Sequence, residues 1–402
     1  MELTLLGTGA PAGLPRPGCP CAACASAVGD EARAATALLI DGALLLDLTP
    51  GPAFAAARAG QTLQGVRQVA LSHPHEGPAL EVPAGLPAPV RVPDGQELAL
   101  ISGHRLRAVP LDAPGTGYLV TGPGGERLLY LPPGASAAGL EESAADEGPY
   151  DVVALDVVGR PDALARLRSS GAVGAATDVL AVHIGHDVHP GAELHRRLAA
   201  AGARAVPDGA SLGVGEYHEV PEVPRRTLVL GGARSGKSAE AERRLAAFPG
   251  VLYVATGGTR EGDPEWAERV AAHRERRPPS WRTKETCDLV PLLAGEGPPL
   301  LIDCLSLWLT HVMDEVGAWD DAKWRAGEAP RALRERVSGL VGALRTTSRT
   351  VVAVSNEVGS GVVPSTPAGR RFRDELGRVN AEFASECESV LLTTAGLVQP
   401  LR

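Results

Sequence analysis

The sequence predicts an α/β protein built from two domains of different kinds. Before residue 223, strand-like runs separated by glycine- and proline-rich turns favour a sandwich of sheets. Helical patterns there are few and late, as in "PGAELHRRLAAAG". After residue 226, strands and amphipathic helices alternate, which indicates a mostly parallel sheet. Two Val-Pro pairs in "EVPEVPRR" favour an extended linker, so we place the domains at 1–222 and 227–402 and the linker at 223–226.

Composition argues against several classes of protein. Apolar residues make up 44% of the 402 residues and aromatic residues only 3%, so we expect a core of Ala, Val and Leu. The first 224 residues carry 14 Arg, no Lys and 25 acidic residues, and this charge argues against nucleic-acid binding. The sequence has no recognisable signal peptide or membrane-spanning apolar run, so we expect a cytoplasmic protein without membrane insertion. In that compartment the six cysteines are expected to be thiols or metal ligands.

Residues 231–238, "GGARSGKS", fit the phosphate-binding pattern G-x-x-x-x-G-K-S, between the strand "TLVL" and the helix "SAEAERRLAAF". The backbone N–H groups of such a loop and the helix N-terminus favour a phosphate chain. We expect Lys237 to reach the β- and γ-phosphates and Ser238 to bind Mg²⁺. Asp303, at the end of the strand "PLLIDC", is expected to be the acidic Mg²⁺ partner, with a helix cap as the alternative role.

The stretch "WAERVAAHRERRPPSWRTKE" carries His273 on a predicted helix that ends before Pro278. By chemistry alone, His273 would be a surface histidine beside solvated arginines. Together, however, "GGARSGKS", "VLYVATG", "RVAAHRERRPPSWRTKE", "SNEVGSGVVP" and "RRFRDELGRVNAE" resemble the bifunctional adenosylcobinamide kinase/adenosylcobinamide-phosphate guanylyltransferase family over residues 227–400. The set is specific, because ordinary P-loop kinases lack the histidine-containing helix and the N-E-V-G-x-G-x-V-P loop.

This resemblance implies an enzyme of cobalamin assembly or corrinoid salvage with two activities. One phosphorylates adenosylcobinamide with ATP or GTP. The other transfers GMP from GTP to adenosylcobinamide phosphate through a guanylylated histidine and yields adenosylcobinamide-GDP. The family's H-x-x-x-R-P pattern places that histidine at His273, followed by Arg277 and Pro278. The resemblance also implies a homo-oligomer, a trimer, formed through the second domain.

The family's nucleotide contacts can be carried over by position. They fall on Gly231, Gly232, Ala233, Arg234, Ser235, Gly236, Lys237, Ser238, Ala255, Thr256, Gly257, Glu275, Arg276, Arg277, Pro278, Glu285 and Asp303. Family members often carry Glu at the position of Asp303, so the carboxylate is shorter here. Asn356 and Glu357 lie in a loop that the family uses for substrate and subunit contacts. A regulatory or scaffold protein that binds nucleotide without transfer is the alternative for the whole chain.

In the first half, "LTLLGTGAPAGLPRPGCPCAACASA", "LSHPHEGP", "DVVALDV" and "VLAVHIGHDVH" resemble the metallo-β-lactamase fold, in particular the cyclic phosphodiesterase branch of phosphonate degradation. The likeness spans residues 2–215 and implies an αββα sandwich. It also implies a structural zinc site, with Cys19, Cys21 and Cys24 in a C-x-C-x-x-C pattern and His186 as the fourth ligand. Three cysteines and one histidine form a closed tetrahedral zinc site. His218 is the rival fourth ligand.

The catalytic dinuclear metal site of that fold is incomplete in this sequence. His73, His75 and His183 match three of its ligands. Glycine or proline stands where other ligands belong, at Gly77, Pro78 and Pro132. Without the bridging carboxylate, two metal ions and their water cannot be held in the usual way. We therefore expect a non-catalytic domain with a structural zinc ion, and the alternative is a single-metal hydrolase that uses the three histidines.

Overall fold

A computed structural model describes residues 1–73, 82–138, 148–219, 221–258, 268, 271, 274–275 and 277–402. The chain divides into two compact units, Met1–Val223 and Pro224–Arg402.

The first unit contains two sheets. The strands of the first sheet, in the order β11-β1-β2-β3-β4, are β1 (Glu2–Gly7), β2 (Ala37–Ile40), β3 (Leu44–Leu46), β4 (Gln68–Ala70) and β11 (Ser211–Gly213). Those of the second, in the order β10-β9-β8-β7-β6-β5, are β5 (Glu97–Ala99), β6 (Arg105–Val109), β7 (Gly117–Thr121), β8 (Arg127–Tyr130), β9 (Val152–Leu155) and β10 (Asp178–Ala181). Its helices are α1 (Ala22–Ser26), α2 (Pro52–Arg58), α3 (Pro161–Ser169) and α4 (Ala192–Ala200), with a 3-10 turn at Gly29–Glu31.

One hydrophobic core joins the two sheets of this unit. Leu5 and Leu38 of the first sheet belong to the same buried cluster as Tyr118 and Val152 of the second. Because side chains alternate along a strand, the neighbouring residues point outward. A second cluster lies on the outer face of the first sheet and includes Ala56 of α2. The predicted sandwich of two sheets with outer helices is confirmed.

The sequence indicates few and late helical patterns in the first half, which fits α3 and α4 but misses α1 and α2. Helix α2 begins at Pro52, well before the middle of the unit, and α3 begins at Pro161. Proline suits the first helical position because its ring fixes φ near the helical value. It also lacks the N–H group that would have no hydrogen-bond partner there. The sequence "PAFAAAR" of α2 is short and has a single charged residue, so it lacks the polar face by which amphipathic helices are recognised.

The second unit contains one seven-stranded sheet in the order β14-β13-β15-β16-β12-β17-β18. Its strands are β12 (Arg226–Gly231), β13 (Leu252–Ala255), β14 (Arg282–Glu285), β15 (Leu300–Asp303), β16 (Val351–Asn356), β17 (Ser389–Thr394) and β18 (Leu397–Pro400). Its helices are α5 (Lys237–Leu245), α6 (Val290–Ala294), α7 (Leu305–Glu315), α8 (Asp321–Arg325), α9 (Glu328–Thr346) and α10 (Pro367–Ser385). Every neighbouring pair is parallel except β17 and β18, which confirms the predicted mostly parallel sheet.

Both faces of this sheet are buried, as parallel sheets require. On one face, Val229 and Leu301 pack with Ala241 and Leu245 of helix α5. On the other face, Leu228 and Ile302 belong to a larger cluster that includes residues of α6, α7, α9 and α10. Helix α5 therefore lies directly behind the strand from which it emerges, and its N-terminus is held at the carboxyl edge of the sheet.

Candidate functional site

The loop between β12 and α5 has a backbone that depends on its glycines. Gly236 has φ +98°, and Arg234 has φ +58°, both in the left-handed region. A Cβ atom at Gly231 would lie 2.4 Å from Ser235 Oγ and 2.6 Å from Thr393 O. Gly396 N, in the turn between β17 and β18, donates to Ser235 O at 3.0 Å. The loop is thus packed against the β17–β18 hairpin and turns tightly into α5.

The residues of this loop differ in their exposure to solvent. Gly232, Ala233 and Arg234 are exposed, while Lys237 is buried and its Nζ donates to Gly232 O at 3.0 Å. Ser235 Oγ is buried and has no hydrogen-bond partner among the described residues. Ser238 lies half-buried in the first turn of α5, where a hydroxyl oxygen can serve as a ligand for Mg²⁺.

The carboxyl ends of the neighbouring strands bring other polar residues to the same edge. Asn356 pairs with Gly231 across β16 and β12. Ala255 pairs with both Asp303 of β15 and Glu285 of β14. Residues that lie far apart in sequence are therefore aligned along one edge of the sheet, where open α/β sheets bind their ligands.

Asp303 is held by a tyrosine that sequence reasoning had not singled out. Tyr253 Oη donates a hydrogen bond of 2.8 Å to Asp303 Oδ2. The guanidinium carbon of Arg277 lies 3.3 Å from the centre of the Tyr253 ring, within range of a cation–π contact. Arg277 Nη1 also donates to Thr283 Oγ1 at 3.0 Å. Burial lowers the pKa of Arg277, and burial followed by the Asp303 charge raises the pKa of Tyr253.

Other polar groups at this edge hold the backbone in place. Thr256 Oγ1 donates to Cys304 O at 2.7 Å and accepts from Cys304 N at 2.9 Å, so its hydroxyl braces the end of β15. Asn356 Nδ2 donates to Ser306 Oγ at 2.9 Å, and Asn380 Nδ2 donates to Asn356 O at 3.1 Å. These bonds give Asn356 a defined orientation beside residues 231–238, the phosphate loop.

In the first unit, three cysteines and one histidine lie together. The possible ligand atoms of Cys19, Cys21, Cys24 and His186 are all within 4.8 Å of one another. His186 Nδ1 lies 3.2 Å from the sulfur of Cys19 and 3.5 Å from each of the other two sulfurs. A tetrahedral zinc ion with ordinary bond lengths would separate a sulfur and a nitrogen ligand by about 3.6 Å. The donor set and its spacing therefore fit a zinc ion.

Local backbone contacts create this arrangement. Ile184 N donates to Thr8 O at 3.1 Å and Ala10 N donates to Ile184 O at 3.0 Å, which brings the loop carrying His186 back to the chain start. Cys21 precedes helix α1, and its sulfur accepts from Cys24 N at 3.4 Å. This N–H bond lowers the pKa of Cys21 to about 6, which favours the thiolate that metals bind.

The rival fourth ligand, His218, has another partner. His218 Nε2 donates to Gly213 O at 2.9 Å. It does not belong to the group of possible metal ligands found among the described residues.

A second polar cluster in this unit consists of Asp47, Ser72, His73, Tyr130 and His183. Asp47 is fully buried and accepts hydrogen bonds from Ser72 N at 2.7 Å, Ser72 Oγ at 2.5 Å and Tyr130 Oη at 2.7 Å. His73 Nδ1 lies 3.5 Å from Asp47 Oδ2. Burial alone would raise the pKa of Asp47, but His73 and the hydrogen bonds from Ser72 and Tyr130 outweigh it and lower that pKa.

Both histidines of this cluster are buried and oriented by other groups. Ser72 Oγ lies 2.8 Å from His73 Nδ1, and His183 Nε2 donates to Leu131 O at 3.1 Å. Their ring centres are 6.3 Å apart. Burial lowers the pKa of His183 to about 3, so its imidazole stays neutral. Asp47, like Asp303, directly follows an apolar strand, and this signal could have identified it from sequence.

Pro132 is the residue that the sequence resemblance aligns with the bridging carboxylate of the dinuclear site. A Cβ atom at Gly115 would lie 3.4 Å from Pro132 Cγ and 2.8 Å from Ser72 O. Pro132 is buried there, so an apolar ring stands beside the backbone of the cluster. His75, Gly77 and Pro78, by contrast, lie outside the described residues.

Comparison with known proteins agrees with the geometry of the second unit. The model of the family "cobinamide kinase / cobinamide phosphate guanyltransferase" matches residues 227–401. The bifunctional adenosylcobalamin biosynthesis protein CobP of Pseudomonas aeruginosa is 45% identical over 183 residues, which cover 44% of this chain and 97% of the relative. CobU of Salmonella typhimurium, described in the same words, is 36% identical over 180 residues, covering 42% of this chain and 96% of the relative. The chain belongs to the cobinamide kinase/guanyltransferase family.

Membership in the cobinamide kinase/guanyltransferase family confirms the predicted class of enzyme and rests on the second unit alone. In the described part of this unit, the phosphate loop, Ala255, Thr256, Glu285 and Asp303 share one edge of the sheet. Glu275 is exposed, Pro278 is half-buried, and Arg274 Nη2 lies 3.3 Å from Glu285 Oε1. His273 and Arg276 lie outside the described residues.

Two solved structures resemble the first unit. Zn(2+)-bound PqqB from Methylobacterium extorquens has 17% identity and a TM-score of 0.39, covering 53% of this chain and 100% of that chain. A diphosphatase of the PhnP family has 21% identity and a TM-score of 0.38, covering 52% of this chain and 96% of that chain. These likenesses are too weak to assign an activity. Among the described residues, no helix combines the length and apolar character needed to cross a membrane.

Proposed function

We propose that the second unit phosphorylates adenosylcobinamide with ATP or GTP and then transfers GMP from GTP to the resulting phosphate, giving adenosylcobinamide-GDP. The observation that carries this proposal is the complete phosphate loop at the carboxyl edge of a sheet that also presents Asp303. The relatives named for adenosylcobalamin biosynthesis support the choice of substrate.

In the kinase step, a hydroxyl oxygen of adenosylcobinamide attacks the γ-phosphorus, and the bond to the leaving nucleoside diphosphate breaks. Lys237 neutralises charge on the transferred group, because its ammonium is held inside the loop by Gly232 O. Ser238 and Asp303 would hold Mg²⁺, which supplies further charge neutralisation when bound. The hydrogen bond from Tyr253 keeps the Asp303 carboxylate in one orientation.

In the guanylyl transfer, His273 is the nucleophile. A neutral imidazole nitrogen attacks the α-phosphorus of GTP, a P–N bond forms and pyrophosphate leaves. A phosphate oxygen of adenosylcobinamide phosphate then attacks the same phosphorus, which breaks the P–N bond and releases the histidine. Arg277, seated on Tyr253 four residues after His273, is placed by sequence to stabilise phosphate charge.

Incubation with α-labelled GTP tests this assignment. The full-length protein should trap one labelled GMP per chain, and His273→Ala should abolish the adduct while phosphorylation of adenosylcobinamide continues. His311→Ala is the matched control, because His311 lies on α7 in an exposed pair with Glu315. A label that survives in His273→Ala or disappears in His311→Ala contradicts the proposal. Nucleotide binding without any adduct or phosphorylated product would favour the regulatory or scaffold alternative.

For the first unit we propose a non-catalytic domain with one structural zinc ion on Cys19, Cys21, Cys24 and His186. The tight spacing of these ligand atoms supports the zinc site. The bonds that Asp47 accepts, and the Pro132 ring beside them, support the loss of hydrolase activity. The short distance of 6.3 Å between the ring centres of His73 and His183 favours the alternative, a single-metal hydrolase that also uses His75.

Metal analysis separates these two readings of the first unit. One zinc ion per chain, no phosphodiesterase activity and no change in His75→Ala are the expected results. Two zinc ions per chain, with a phosphodiesterase activity that His75→Ala removes, would establish the hydrolase instead.

We further propose a cytoplasmic homo-oligomer, a trimer assembled through the second unit, as the family resemblance implies. Light scattering coupled to size-exclusion chromatography should give three times the mass of 41.5 kDa for one chain. A monomer mass over the working concentration range would contradict this.

A further inference from the structure

We propose that Tyr253 is a positioning residue for both reactions of the second unit. Its hydroxyl orients the carboxylate of Asp303, and its ring holds the guanidinium of Arg277 in position through a cation–π contact. This inference rests on the proposed function, because it assumes that Asp303 serves the phosphate loop and that Arg277 serves the histidine step. In the sequence, Tyr253 is an aromatic residue inside the strand "LYVA", and nothing in that pattern indicates a role of its own.

The strand register places Tyr253 between the two groups. Tyr253 pairs with Leu301 on one side and with Thr283 on the other. Side chains two residues apart share one face of a strand, so Asp303 projects on the same face as Leu301 and Tyr253. This is the face against which helix α5 packs, because Tyr253, Leu301 and Ala241 belong to one buried cluster.

The hydroxyl of Tyr253 acts on Asp303. The O–H donates to Oδ2 at 2.8 Å. A hydrogen bond from a neighbouring group fixes the direction of a metal-binding carboxylate, and loss of such a bond costs roughly 10- to 100-fold in metal affinity. The hydroxyl therefore sets the affinity of the site for the divalent ion.

The ring of Tyr253 acts on Arg277. The guanidinium carbon lies 3.3 Å from the ring centre, and Thr283, the strand neighbour of Tyr253, accepts a second contact from Nη1 at 3.0 Å. A half-buried cation over an aromatic face gains about 1–2 kcal/mol, which corresponds to about a tenfold preference for this position. Arg277 ends the segment that carries His273, so the ring holds the end of that segment beside Asp303.

Two substitutions separate these roles. Tyr253→Phe keeps the ring and removes the hydroxyl, whereas Tyr253→Met fills the space without an aromatic face. Binding of Mn²⁺ is measured by electron paramagnetic resonance with an α,β-methylene analogue of GTP, which cannot form the adduct. Formation of the labelled GMP adduct is measured separately with GTP, at an ion concentration that saturates each variant.

We expect Tyr253→Phe to weaken Mn²⁺ binding about tenfold or more and to form the adduct at close to the wild-type rate. Tyr253→Met should show the same loss of Mn²⁺ affinity and, in addition, form the adduct about tenfold more slowly. Unchanged Mn²⁺ affinity in Tyr253→Phe overturns the role of the hydroxyl. Equal adduct rates in the two variants overturn the role of the ring.

The first unit offers a matched control. Arg127 lies 4.6 Å from the ring centre of Tyr150, so this pair has the same chemistry in a different unit. Tyr150→Phe and Tyr150→Met should change neither measurement, and a change in either would show that the effects at Tyr253 are general losses of stability.

Two further results keep the inference distinct from the proposed function. If Tyr253→Met does not fold, Arg277→Lys replaces it and should slow adduct formation while Mn²⁺ binding stays at the wild-type level. Mn²⁺ binding that weakens in Arg277→Lys contradicts the separation of roles. If the wild-type protein forms no adduct, the proposed role of His273 fails, while the Mn²⁺ titration still decides whether Tyr253 orients Asp303.

Discussion

The phosphate loop of the second unit and the cluster around Asp47 in the first unit use polar side chains in opposite ways. In the loop, Lys237 is buried, while Gly232, Ala233 and Arg234 are exposed. Around Asp47, the carboxylate accepts hydrogen bonds from Ser72 N, Ser72 Oγ and Tyr130 Oη. These three residues of the loop are therefore open to a ligand, whereas the Asp47 carboxylate is bonded to other residues of its own cluster.

The cysteine site provides a third case, because its four possible ligand atoms all lie within 4.8 Å of one another. Three sulfurs surround His186 Nδ1 at 3.2–3.5 Å. Thiolates at this spacing repel one another unless a cation lies between them. The same unit therefore holds one cluster whose spacing fits a metal ion and one in which a buried carboxylate is hydrogen-bonded by its neighbours.

The largest effect is expected from Cys21→Ser. Loss of this ligand should release zinc and destabilise the first unit by about 5 kcal/mol or more, because the binding free energy of a structural metal contributes to folding. Zinc release with a chromophoric chelator and hydrogen exchange over peptides from residues 1–222 measure the two effects. His218→Ala is the control, since losing its bond to Gly213 O should cost only about 1 kcal/mol and keep the zinc. Zinc retained in Cys21→Ser contradicts the site.

Lys237→Ala should lower the rate of phosphoryl transfer to adenosylcobinamide by roughly 10²- to 10³-fold, because charge on the transferred group is no longer neutralised. Steady-state kinetics with labelled ATP measure this loss. Lys323→Ala, at an exposed lysine of α8, is the matched control and should leave the rate unchanged. A rate in Lys237→Ala within a few-fold of wild type means that the loop is not the phosphate site.

Asp47→Asn tests whether the first-unit cluster now serves stability. Removing one member of a buried charged network costs about 3–5 kcal/mol. Urea unfolding followed by hydrogen exchange should show this loss in residues 1–222, while tryptophan fluorescence should not change, because every tryptophan follows residue 265. Asp112→Asn is the surface control, since its pairs with Arg160 and Arg166 are partly exposed and contribute about 1 kcal/mol or less. Equal losses in both variants would contradict a stabilising role for the cluster.

The smallest effect concerns pH. The pKa of His183 is lowered by burial to about 3 in the folded protein, whereas the unfolded chain binds this proton near pH 6.5. Because the pKa is lower in the folded protein, the unfolded state binds the proton more tightly below pH 6.5. The free energy of unfolding therefore keeps this contribution above pH 6.5 and loses it as the pH falls toward 3, by up to about 1.4 kcal/mol per pH unit. Between pH 7 and pH 5 the wild type should lose about 2 kcal/mol more than His183→Gln. Parallel losses in urea unfolding of the two proteins would show that His183 is protonated in the folded state.

Much of this architecture follows from local sequence. The alternation of strands and helices after residue 226 predicts the parallel sheet, and the glycines of residues 231–238 predict the tight turn, because both depend on neighbouring residues alone. The C-x-C-x-x-C spacing likewise places three sulfurs on one short turn. Local patterns missed helix α2, whose alanines carry no amphipathic signal, and they missed Asp47.

Tertiary structure alone decided which distant residues meet. His186 rather than His218 joins the cysteines because Ile184 bridges back to Thr8 and Ala10, while His218 bonds to Gly213. Sequence spacing cannot distinguish the two, since each lies more than 150 positions from the cysteines. Tyr253 reads in sequence as an ordinary core aromatic. The register of β13 between β14 and β15 places its hydroxyl within hydrogen-bonding distance of Asp303 and its ring against Arg277. Strand pairing brings together residues that are far apart in the sequence, so these contacts could not be inferred from sequence distance.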